Sequence, residues 1–216
     1  LEGDLTPGSE AALASGDSLE GMAWSGVDLA GSELTPPAIA NCRFTSVSFT
    51  GATLKDLELV DVELSNCELS GCTLDGASLT RVTFTECRMA GFTAPELQAR
   101  HVGFATCKLD QAWLRLSVLD RCRFEDCDLA EADFYQASIT GCRFLGCNLA
   151  GAEVSKAKVQ RTALHGSRLA GIKGAEALAG VTIGSDQVLD LGRAMLVARG
   201  VVIDDAYLDG QQPASD

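Results

Sequence analysis

The chain has 216 residues, of which 46% are hydrophobic, and carries a formal charge of −13. That apolar content supports a buried core, yet no stretch approaches the roughly 20 consecutive apolar residues of a membrane span, so no membrane partner is expected. The negative charge opposes direct binding of nucleic acid by the chain, and nine cysteines without a visible export signal point to a reducing, cytoplasmic location.

Residues 1–16 read as an N-terminal cap, in which Ser9-Glu-Ala-Ala-Leu-Ala14 forms a short helix or an irregular plug. From residue 17 to residue 173 a five-residue period governs the chain. Large apolar residues stand at Leu19, Trp24, Leu29 and Leu34 and continue in step to Met89; after Ala94 and Ala99 they resume from Phe104 to Leu169. The slot two residues earlier holds Cys, Ala, Val or Ser in most repeats, and all nine cysteines occupy it. A period of five fits neither the 2.0 of a strand nor the 3.6 of a helix. The chain must therefore bend at each repeat to turn both apolar positions inward.

A second period gives the turn of the coil. Phe44, Phe84, Phe104, Phe124 and Phe144 are congruent modulo twenty beneath Trp24, as are Cys67, Cys87, Cys107, Cys127 and Cys147. Twenty residues are four pentapeptides, which predicts an all-β solenoid: a quadrilateral β-helix of about eight coils in which like stacks on like. No Pro/Ser-rich linker interrupts the repeats, so one elongated domain is expected. Glycines such as Gly51, Gly71 and Gly141 read as corner residues.

One segment departs from the pattern. In Gly91-Phe-Thr-Ala-Pro-Glu-Leu-Gln-Ala99 the inward slots swap sizes, moving volume between the two inward layers. Pro95 removes a ladder donor and is expected to break strand pairing locally. The segment is either a packing variant or a mid-coil contact formed by Phe92, Pro95 and Glu96.

Charge is uneven. Residues 17–173 hold 20 acids against 15 bases. A coil of eight turns is about 38 Å long, and B-DNA of that length carries about 22 phosphate charges, so the coil is a poor uniform mimic of DNA. Two local acidic bands remain, each wrapping about one turn: Asp56, Glu58, Asp61, Glu63 and Glu68, and Glu125, Asp126, Asp128, Glu131 and Asp133. They are either a solvated surface or patches that steer a basic partner.

Residues 174–216 read as a C-terminal cap, with a helix over about 186–199 and a flexible tail. Ser185 is the expected N-cap, Asp186 follows in the first turn, and Arg199-Gly200 makes the stop. The apolar residues Val188, Leu189, Leu191, Met195 and Leu196 fall on two adjacent stripes. One stripe would cover the coil end and the other would meet a second copy, which makes these five a candidate dimer interface.

Catalytic chemistry finds little support. Coil neighbours stacked at roughly 4.8 Å are too far apart for a disulfide, and a straight column of cysteines does not wrap a tetrahedral ion; the cysteines read as buried filler. His101 and His165 lie roughly three 4.8 Å levels apart, without a convergent nucleophile and carboxylate. No phosphate-cradling glycine motif is present. Neither an enzyme nor a cofactor nor a metal is expected.

Segments such as Cys72-Thr-Leu74-Asp-Gly, Cys127-Asp-Leu129-Ala-Glu131-Ala-Asp-Phe134 and Cys147-Asn-Leu149-Ala-Gly-Ala152 resemble the pentapeptide-repeat family, whose loose consensus is A(D/N)LXX. The resemblance covers about residues 17–173 and implies a right-handed quadrilateral β-helix. The tail, Gly180-Val-Thr-Ile183, then the helix, then Gly200-Val-Val-Ile-Asp204, is similar to the ends of Qnr, MfpA and topoisomerase-poison immunity members. That subgroup implies a non-catalytic protein that binds DNA gyrase or topoisomerase IV, protects it from poisons by partial DNA mimicry, and forms a homodimer through the C-terminal helix. It also implies that loops or kinks near mid-coil can serve as contacts, although the unbroken frame at Pro95 argues against a long loop. The alternative is a structural scaffold whose flat sides bind another protein.

Overall fold

The computed structural model describes residues 5–35 and 38–203. Its unit is a three-residue extended segment whose middle residue is buried while its flanks face outward, closed by a corner residue with positive φ. The corners follow the five-residue frame. Glycine fills some, such as Gly51 (φ 63°) and Gly141 (φ 66°), but Asn41, Arg81, His101 and others adopt the same left-handed conformation. The expectation that glycine marks the corners therefore holds where glycine occurs, and polar side chains with room to point outward take most of the rest.

Four sides result. The first is an eight-stranded parallel sheet running from Leu19–Glu20 to Lys158–Gln160. The second is another eight-stranded parallel sheet, from Thr6–Pro7 to Arg143–Leu145. Within the coil the register is twenty throughout, pairing Phe84 with Phe104, Phe104 with Phe124 and Phe124 with Phe144. The third side is held by single bridges such as Glu68 to Arg88 and Lys108 to Asp128. The fourth starts as a three-stranded sheet, Glu33–Leu34, Thr53–Lys55 and Thr73–Asp75, and from Thr93 upward keeps only single bridges. Its ladder ends at the level of Pro95, whose missing N–H removes one bond, but the levels above also hold only single bridges without a proline, so the proline alone does not account for the change.

The core is one continuous column. The rings of Phe84, Phe104, Phe124 and Phe144 stack face to face with centroids 4.6–4.9 Å apart, and Trp24 stacks on Phe44 at 4.8 Å. Phe92, Ala94, Leu97 and Ala99 are all buried, so the swapped sizes fill the same volume.

Both ends are covered. At the start, Ser9 caps helix α1 (Glu10–Ala14) by accepting from the Ala12 N–H, Leu13 is buried, and the Trp24 indole donates to the Ser9 carbonyl at 3.0 Å. At the far end a 3₁₀ turn, Ala175–Leu178, leads to a second, Ser185–Gln187, and then to helix α2 (Val188–Ala198). Ser185 opens that second turn and does not cap the helix, which corrects the expected N-cap. Gln187 stands at the N-cap position of α2 without a side-chain cap; its side-chain oxygen instead accepts from the Gly184 N–H at 2.8 Å and closes the 3₁₀ turn. The Val201 N–H returns to the Leu196 carbonyl around Gly200 (φ 78°), and this makes the stop at Arg199-Gly200. The expected tail beyond Ile203 lies outside the described residues.

Candidate partner-binding surface

The outward residues of an extended segment and its corner are the only ones a partner can reach, so the wall's chemistry is set by three columns per side. The first acidic band occupies such positions, but the levels above and below supply cations that the local sequence lacks. Glu63 pairs with Arg43 at 2.8 Å, Asp61 with Arg81 at 2.6 Å, and Glu68 lies 3.8 Å from Arg88. The Arg81 guanidinium, bonded to both carboxylate oxygens, holds Asp61 below its usual range. Asp56 and Glu58 have no ion-pair partner among the described residues.

The second band is less neutralised. Glu125 pairs with Arg123 and Asp133 with Arg115, but Asp126, Asp128 and Glu131 have no cation partner among the described residues. Asp128 accepts from the Asn148 amide at 2.9 Å and Glu131 from the Gln111 amide at 3.2 Å. Asp110 on the level below and Glu153 on the level above likewise lack ion pairs among the described residues. The open acidic surface therefore spans the third side and both of its corners and reaches the fourth side at Glu153.

Of the mid-coil residues, Phe92 points into the core at 2% exposure, so it is not a surface contact. Pro95 is half-buried and Glu96 is an exposed corner residue, φ 59°. The five helix residues divide. Leu191 is buried and Met195 packs partly against the core, while Val188, Leu189 and Leu196 are 59%, 81% and 49% exposed. The outward stripe is thus 188/189/196.

A third surface was not singled out from the sequence. Trp113, Leu116 and Val118 are exposed around the corner between the fourth and first sides, on one level. The Arg115 guanidinium lies 5.1 Å from the Trp113 ring and 5.3 Å from the ring of Tyr135 one level up, and bonds Asp133 at 2.7 Å. The signal was available: Trp113 fills a slot that holds Thr73, Thr93, Asp133 and Glu153 on other levels.

The cysteines are all free and buried. In the column of Cys67, Cys87, Cys107, Cys127 and Cys147, each thiol donates to the carbonyl 23 residues earlier at 3.4–3.6 Å. Burial pushes the Cys72 thiol up to about 12, so it stays protonated and unreactive at neutral pH. His101 and His165 are exposed, and no cluster of three or more metal-ligating side chains occurs among the described residues.

The family model for the pentapeptide repeat region matches residues 37–114 and 117–179, more than half of the chain. The protein belongs to the pentapeptide-repeat family. No curated protein matches its sequence. Among solved structures, a trypsin-treated form of QnrB1, a plasmid-mediated fluoroquinolone resistance protein, is 20% identical with a TM-score of 0.56, over 83% of this chain and 99% of that one. A second trypsin-treated form of QnrB1 is 19% identical with a TM-score of 0.51, over 86% and 100%. At this identity the likeness is one of fold.

Proposed function

We propose that this pentapeptide-repeat protein binds DNA gyrase or topoisomerase IV and shields the enzyme from poisons, with no catalysis of its own. The observation that carries the reading is a group of carboxylates without ion pairs among the described residues, Asp110, Asp126, Asp128, Glu131 and Glu153, spread over adjoining levels of the third side, its two corners and the adjacent column of the fourth side. A DNA-binding saddle is a basic concave surface, and such a cluster steers encounter with it while the straight coil supplies a rod of suitable shape. The fold likeness to a fluoroquinolone resistance protein is consistent with this role. The protein acts in the cytoplasm, where its nine thiols stay reduced, and pairs with a second copy through Val188, Leu189 and Leu196.

The test is ATP-dependent supercoiling by bacterial gyrase with the protein titrated in, with and without a fluoroquinolone, scoring trapped cleavage complexes. Rescue from the drug, or inhibition that weakens as salt rises, is the expected outcome. No effect on a source-matched gyrase and topoisomerase IV would move the reading to a scaffold that binds some other protein.

A further inference from the structure

We propose that the corner carrying Trp113, Arg115, Leu116 and Val118, with Tyr135 on the level above, anchors an interface with a protein surface that offers an apolar socket rimmed by basic side chains. On the described coil wall these are the exposed large hydrophobic residues; the others stand at Val188 and beyond. Three exposed apolar side chains within six residues form a patch, not scatter. Among the described residues, Leu116 is also the one hydrophobic residue at a non-glycine position with positive φ, at 60°. A leucine placed both in the left-handed region and in water is unfavourable on two counts, and nothing in the core gains from it.

The patch is organised before a partner arrives. Arg115 lies within cation–π distance of the two rings, Trp113 and Tyr135, and is itself held by Asp133, while Lys156 donates to the Tyr135 hydroxyl at 2.8 Å. Trp, Tyr and Arg are the side chains on which interface energy concentrates, and holding them in place lowers the ordering cost of binding. Charge selects the occupant. The flank toward the third side is formed by Asp110, Asp128 and Glu131, and Glu153 stands two levels above Trp113 in its own column; none of these four has an ion pair among the described residues, whereas the nearby cations Arg100 and Arg121 are both engaged by Asp120. A basic rim complements that flank. A second copy docked on this corner would set its own acidic flank against this one, and nucleic acid meets the same repulsion.

The proposal rests on the topoisomerase reading only for its first probe. Binding of the full chain to purified gyrase heterotetramer is measured at two salt concentrations for wild type, Trp113→Ala, Leu116→Ser and Glu131→Gln, with circular dichroism confirming that each variant folds. Trp113→Ala and Leu116→Ser should each weaken binding about tenfold or more through faster dissociation with the salt dependence kept; Glu131→Gln should slow association and flatten the salt dependence. Trp113→Ala binding as tightly as wild type would overturn the anchor while leaving the topoisomerase reading intact. If wild type does not bind gyrase, that reading falls, and two tryptophan-free lysine peptides of equal length and charge decide the anchor. One carries leucine at i, i+3 and i+4, and the other serine. The other of the two tryptophans, Trp24, is buried at 1% exposure, so changes in emission report on Trp113. Tighter binding of the leucine peptide by about tenfold, with a blue shift, supports the anchor; equal binding of both peptides, or unmoved emission, overturns it.

Discussion

In the wall of the coil every contact is made many times, each inward side chain meeting its counterpart twenty residues on, whereas in the C-terminal cap each contact is made once. The two regions nevertheless share a boundary condition. A stack of strands ends in a row of carbonyls that lack a next level, and the wall's own polar column runs on into the cap to meet them. After Cys147 comes Ser167, whose hydroxyl donates to the Phe144 carbonyl at 3.1 Å; after Ser167 comes Gln187, whose amide donates to the carbonyls of Leu164 and, at 2.6 Å, of Ser167. Seven residues spaced by twenty thus perform one task with three chemistries: thiol, hydroxyl and amide. Repetition makes the wall robust to the identity of any one donor, while the cap depends on a single side chain that is 3% exposed.

The largest expected effect breaks the wall. Phe124 is stacked between Phe104 at 4.7 Å and Phe144 at 4.6 Å, so Phe124→Ala removes two ring contacts and leaves a cavity that the rigid frame cannot close. A loss of about 3–5 kcal/mol is expected, read from urea unfolding of wild type and variant. A loss below about 1 kcal/mol would mean that neighbouring levels relax into the gap, and the picture of a close-packed ladder would fail.

A smaller change separates the two regions. Gln187→Ala leaves the carbonyls of Leu164 and Ser167 and the N–H of Gly184 without that partner, at a cost of about 1–3 kcal/mol. Hydrogen exchange should quicken across Val188–Ala198 while protection in the Phe84 to Phe144 strands is unchanged. Equal loss of protection in both would show that wall and cap open as one unit.

The same contrast explains what was legible in the sequence. The wall was, because a period of five admits no other frame, and adding twenty to Phe84 finds each of its stacking partners. The pairing of the acidic residues was not read, although the arithmetic that aligns Phe84 with Phe104 also brings Arg43 beside Glu63 and Arg81 beside Asp61. A run of acids with no base between them is acidic only along the chain, and in a solenoid the nearest charges are twenty residues away. Gln187 falls on the cysteine frame, but the pairing just before it slips by one residue, Ala163 bridging Thr182, which hides the continuation. Trp113 escaped because attention to inward slots passes over an apolar residue in an outward one. The helix was read as two stripes, one for the coil end and one for a partner; Leu191 and Met195 do turn toward the core, but Val188, expected beside them, is exposed with Leu189 and Leu196, because the period alone does not say where the coil-facing stripe ends.

That division of the helix gives the smallest expected effect on stability and the sharpest separation of cap from wall. Leu196 is 49% exposed in the last turns of α2, on the side away from Leu191. Glutamate has nearly the helix propensity of leucine, and its charge near the C-terminal end is unfavourable by about 0.3–1 kcal/mol at most, so Leu196→Glu should fold with an unfolding midpoint close to that of wild type. If the outward stripe meets a second copy, the same substitution places two carboxylates in an apolar contact related by two-fold symmetry, where burying unpaired charge is far more costly than the helix terms. Light scattering should then report a dimer for wild type and a monomer for the variant, at unchanged circular dichroism. A wild type that is monomeric across the concentration range would instead assign the outward stripe to no self-contact, and the cap's role would reduce to closing the coil through Gln187, Leu178 and Leu191.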